Sequence, residues 1–143
     1  MCLALYIASN SPLTIIPWNE KNPSFHVTSL LKAEEVIKTH LNLKNIVYAG
    51  SYEGCGCAFN YGREYPEYEN DSEELHKANN SYSQLCEYLY DLITQNILVQ
   101  ILCCWEGEQK ISPSIFREIK YSDLRKEDFF FIQNELITIK GVT

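Results

Sequence analysis

The chain has 143 residues, 12 basic and 19 acidic side chains, a net charge of −7 and 45% apolar residues. That balance excludes a disordered, collagen-like or low-complexity chain. The acidity, with a pI near 4.9, argues against nucleic acid as a partner, because phosphate binding needs clustered Lys and Arg. A chain of this mass buries roughly two-thirds of its surface on folding, so a single globular domain over 1–143 is expected.

Residues 2–8 form a continuous apolar run ahead of Ser9-Asn-Ser-Pro12, which predicts a buried strand and a turn. No positive residue precedes the run, and it is shorter than the core of an export signal. The longest apolar run, 97–105, is interrupted by Gln100 and falls far below the roughly 18 residues needed to cross a bilayer. A cytoplasmic protein with no membrane partner is therefore expected. Leu13-Thr-Ile-Ile16 predicts a second short strand. Leu30, Leu31, Ala33, Ile37 and Leu41 follow helical spacing behind Thr28 as a cap, so a helix is placed at 28–41. Residues 45–50 read as a buried strand stopped by Gly50, and 58–61 as an extended segment returning along it. Ser72-Glu-Glu opens a helix whose apolar stripe from Leu75 to Ile93 carries Cys86 as a core residue. Residues 97–105 and 115–121 predict strands, and 129–132 with 136–139 predict a hairpin around Gln133-Asn134. The order gives a mixed α/β fold bordering α+β, with a partly parallel central sheet, two main helices and a C-terminal antiparallel hairpin. The helical crossover at 73–94 should make strands 45–50 and 97–105 parallel.

Charge is unevenly placed. Residues 51–108 hold eleven acids against two bases, and five of the six cysteines. Tyrosines also crowd this part of the chain, and 51–74 reads as an acidic surface for a basic protein partner.

Six cysteines are too few for a small disulfide scaffold, which leaves buried thiols, a metal site or thiol chemistry. Cys55 and Cys57 follow one predicted strand, and Cys103 and Cys104 end another. Parallel strands bring both pairs to one sheet edge, where open α/β sheets place ligands. Alternation sends Cys103 and Cys104 to opposite faces, so one of them meets the C-x-C pair. Three thiolates with Glu53 or Glu106 as a fourth or outer ligand make an acceptable zinc shell, and Cu(I) also suits thiolates. C-x-C and C-C are not the usual zinc spacings, so thiols that simply fill core space are the alternative. A reactive thiol needs positive surroundings, whereas Glu53, Glu106 and Glu108 are the sequence neighbours and Arg63 is the one base within ten residues of Cys57. Metal binding thus ranks above a thiol enzyme. Cys2 is a weak N-terminal nucleophile, since Leu3 stands where class II amidotransferases usually carry glycine. Gly50, Gly54 and Gly56 lack the Lys-Ser/Thr of a phosphate loop and read as turn glycines. His26, His40 and His76 are dispersed and form no Ser-His-Asp arrangement.

The segments Gly-Ser-Tyr-Glu-Gly-Cys-Gly-Cys at 50–57, Cys-Trp-Glu-Gly-Glu at 104–108 and Phe-Phe-Phe-Ile at 129–132 resemble those of a set of uncharacterised small bacterial proteins. The resemblance spans most of the chain and implies no activity, cofactor or site. In size and charge the chain also resembles bacterial immunity proteins that block basic toxins, a likeness of composition alone. The sequence therefore leads to a small protein with a cysteine-lined, zinc-type site at Cys55, Cys57, Cys103, Cys104, Glu53 and Glu106. A non-catalytic acidic module engaging a basic partner stands second, and a thiol-dependent enzyme third.

Overall fold

The structure, a computed structural model, describes residues 1–64 and 72–142. A mixed six-stranded sheet forms its centre: β1 (Leu3–Ser9), β2 (His26–Thr28), β3 (Asn45–Gly50), β4 (Val99–Trp105), β5 (Ile115–Ile119) and β6 (Glu135–Ile139), in the order β2-β3-β1-β4-β6-β5. β1 is apolar on both faces because it lies mid-sheet, antiparallel to β3 on one side and to β4 on the other. β3 and β4 therefore run in the same direction, as expected, but β1 separates them. Both C-terminal ends lie at the sheet edge where β1 begins, with Leu3 opposite Trp105 and Leu5 opposite Ala49.

The helix α1 (Ser72–Thr94) covers one face. Its buried stripe of Ala78, Tyr82, Leu85, Cys86, Leu89 and Ile93 repeats every three or four residues. Most of this stripe packs on Leu3, Leu5, Ile7, Val99, Ile101, Cys103, Ile137 and Ile139. Cys86 is core, as its position on the stripe implies. Across the sheet, Ala4, Tyr6, Ala8, Tyr48, Leu102 and Cys104 meet Ile37 and Leu41.

Several elements depart from the expected ones. The helix expected at 28–41 is a 3-10 helix, Lys32–Thr39, which buries only Ile37. Thr28 is not its cap but pairs with Tyr48 at the end of β2. Leu31 occupies the cap position, and its N–H donates to Glu34 Oε1 at 2.9 Å. The strand expected at 13–16 is reduced to a single bridge, Ile16 to Val27. The extended segment expected at 58–61 is a second 3-10 helix, Cys57–Asn60.

The C-terminal antiparallel hairpin is the largest correction. β6 pairs antiparallel with β4 and parallel with β5, the one parallel pair among the described strands. Parallel neighbours need a crossover, and here it is α2 (Tyr121–Leu124) followed by 125–134. The apolar run 129–132 belongs to that crossover rather than to a strand. Phe129 and Phe131 are buried, and Phe129 lies 4.8 Å from the Arg117 guanidinium. Beneath it Arg117 bonds Oε1 of the fully buried Glu135 at 2.9 Å. No described helix is long and apolar enough to cross a membrane.

Candidate metal centre

The glycine-rich segment after β3 folds back on itself. Both the amide and the hydroxyl of Ser51 donate to the Cys55 carbonyl, at 2.8 and 2.6 Å, and the Gly54 amide donates to Ser51 O at 3.0 Å. Gly54 adopts φ +88°, the left-handed region that glycine enters without a Cβ penalty. The turn then docks on β1, where the Gly56 amide donates to Leu3 O at 2.8 Å. A Cβ at Gly56 would stand 3.1 Å from that oxygen. These glycines serve turn geometry and close approach, as the sequence suggests. Cys57 then begins the second 3-10 helix.

The consequence is a group of three thiols. The sulfurs of Cys2, Cys55 and Cys57 all lie within 4.8 Å of one another, close enough to hold a metal ion. Cys55 is buried, Cys57 half-buried and Cys2 exposed. Cys2 joins because β1 starts between the ends of β3 and β4, and the Glu106 amide fixes its carbonyl at 2.8 Å. Hydrogen bonding polarises the group. The Leu3 N–H donates to Cys57 Sγ at 3.2 Å. The S–H of Cys55, this amide and the S–H of Cys2 together pull the Cys57 thiol down to about 6, against burial and the nearby charge of Glu53. Cys55, as the donor to Cys57, is pushed up, and burial adds to the rise.

Of the expected ligands, Cys55 and Cys57 are brought together, and Cys103, Cys104, Glu53 and Glu106 are not in the group. Cys103 and Cys104 do point to opposite faces, but both sit within the sheet, opposite Leu5 and Ala4 and inside the level of Cys2. Burial raises both thiols, Cys104 to about 11. The Glu53 carboxylate accepts the Tyr61 hydroxyl. That of Glu106 accepts the Tyr48 hydroxyl at 3.3 Å. Among the described residues no fourth His, Cys, Asp or Glu atom joins the three sulfurs.

No family model, curated protein or solved structure matches the chain.

The expected partner surface, 51–74, falls partly on 65–71, outside the described residues. Its described acids are engaged internally: Glu53 with Tyr61, Glu64 with Asn60, Glu73 with Lys77 and Glu74 with Tyr52. The histidines stay dispersed. His26 is buried against Trp18 at 4.6 Å, and His40 Nε2 contacts the Gln109 carbonyl at 2.8 Å.

Proposed function

We propose that the protein binds one thiophilic metal ion, of the zinc type, through Cys2, Cys55 and Cys57. The convergence of these three sulfurs within 4.8 Å supports this reading. Tetrahedral thiolates about 2.3 Å from zinc stand roughly 3.8 Å apart, so small side-chain rotations close the group around an ion. Cys57 is already acidic enough to be a thiolate near neutral pH, and metal binding displaces the remaining protons. Glu53, held by Tyr61, supplies negative charge beside the ion without entering its shell.

Elemental analysis of the purified protein, after zinc loading and desalting, tests this. One equivalent is expected in the parent and in Cys103→Ser and Cys104→Ser variants. Most of it is lost in Cys55→Ser and Cys57→Ser variants. Unchanged metal content in the latter two, or no retained metal in the parent, overturns the assignment.

A further inference from the structure

A second feature touches the thiol group from outside. Cys57 forms part of the wall of a cleft of about 470 Å³, bounded also by Leu3, Tyr61, Trp105, Phe130 and Phe131. That volume lies within the range of small-molecule sites, which combine aromatic walls with a few convergent polar groups. The larger cavity, about 680 Å³, lies between α1 and the 22–24 segment and is lined by no cysteine.

The cleft's chemistry narrows its ligand. Among the described residues none of its lining side chains is basic, and Glu64 adds a carboxylate. A divalent ion bound by three thiolates keeps one net negative charge, so a further anion is disfavoured on both counts. Among the described residues, the candidates the sequence offers for a fourth ligand are engaged elsewhere, Glu53 by Tyr61 and Glu106 by Tyr48. The Asn60 amide, another part of the wall, is held by the Phe131 backbone and Glu64. A neutral donor with a flat apolar body fits what is left: its ring lies among Trp105, Tyr61 and Phe130, and its lone pair meets the ion.

We infer that an aromatic nitrogen heterocycle of the imidazole or pyridine type enters this cleft and fills the fourth position on a divalent ion held by Cys2, Cys55 and Cys57. The inference rests on the metal assignment above. Binding is a simple lone-pair donation: a nitrogen–metal bond forms, a water leaves the ion and no electron is transferred. Three protein ligands plus one exchangeable position is the arrangement of sites that act on substrates rather than merely hold a fold.

Cobalt substitution separates the two claims. In the full chain loaded with Co(II), thiolate-to-cobalt charge-transfer bands report the three sulfurs, and the visible ligand-field bands report the fourth position. Titration with 4-phenylimidazole should change the ligand-field bands saturably while the charge-transfer bands persist, and benzoate should leave both unaltered. Trp105→Ala and the milder Phe130→Ala should each weaken the 4-phenylimidazole response by about tenfold, roughly the worth of one aromatic contact in a desolvated site. Absent charge-transfer bands overturn the metal assignment and this inference with it. Persisting charge-transfer bands with no response to 4-phenylimidazole overturn the inference alone. So does an equal response to benzoate, or one indifferent to both aromatic substitutions.

Discussion

At Cys57 two influences oppose one another. Burial and the charge of Glu53 push the thiol up, while the Cys55 and Cys2 thiols and the Leu3 amide pull it down. In metal-free protein, alkylation of Cys57 by iodoacetamide should therefore show a midpoint near pH 6. Cys55→Ala should move that midpoint up, because it removes the Cys55 S–H, the largest single cause, and leaves no donor in its place; a midpoint at the ordinary thiol value in the parent would refute this. The same shift enters stability with a definite sign. A lowered folded-state pKa contributes most above the ordinary value of 9.0 and loses its contribution as pH falls toward about 6. Cys55 acts oppositely and withdraws stability above its ordinary value. The sign of the Glu53 effect is legible in the sequence, since it depends only on near neighbours. The net result is not, because the Leu3 amide, one of the donors that lower it, lies 54 residues away. Cys2 escapes the sequence for the same reason. Its approach to Cys55 and Cys57 follows from the insertion of β1 between β3 and β4, and no spacing within 2–9 encodes that strand order.

Among the elements, the second 3-10 helix shows why residue type misleads. Ala-Phe-Asn-Tyr at 58–61 reads as extended, yet 57–60 form a 3-10 helix that ends in a clamp. Asn60 is buried, accepts the Phe131 amide at 2.8 Å and donates to the Phe131 carbonyl at 2.9 Å. The side chain thus replaces the strand partner that the phenylalanine run would otherwise have needed. Asn60→Ala leaves both backbone groups without a partner and should cost about 2–4 kcal/mol in urea unfolding. A loss under about 0.5 kcal/mol would show that the clamp is dispensable. Elements with strong local signals, β3, β4 and α1, lie where periodicity and stop signals place them. The parallel β5–β6 pair does not, because its crossover carries only one turn of helix and an apolar run that imitates a strand.

For the whole molecule, the thiol group joins the first residues of the central strand to the turn after β3. Its ligands come from Cys2, just ahead of β1, and from 55–57, so an ion bridges segments far apart in sequence and stabilises the native chain against the unfolded one. At zinc a hundredfold above its dissociation constant the gain is about 2.7 kcal/mol, which for a chain of this size raises the thermal midpoint by about 8–10 °C. Differential scanning calorimetry with zinc and with a chelator should show one transition displaced by that amount, and the Cys57→Ser variant should show none. Equal midpoints in the parent would mean that no such bridge forms.

Met1 stands at the rim of the cleft, beside Leu3 and Cys57. Anything fused ahead of it begins at the mouth of the site. A polyhistidine purification handle placed there would carry several imidazoles to the position we assign to an exogenous nitrogen donor, and the protein would then supply its own ligand. A handle after Thr143 avoids this, because the described residues that follow β6, 140–142, contribute nothing to the cleft wall.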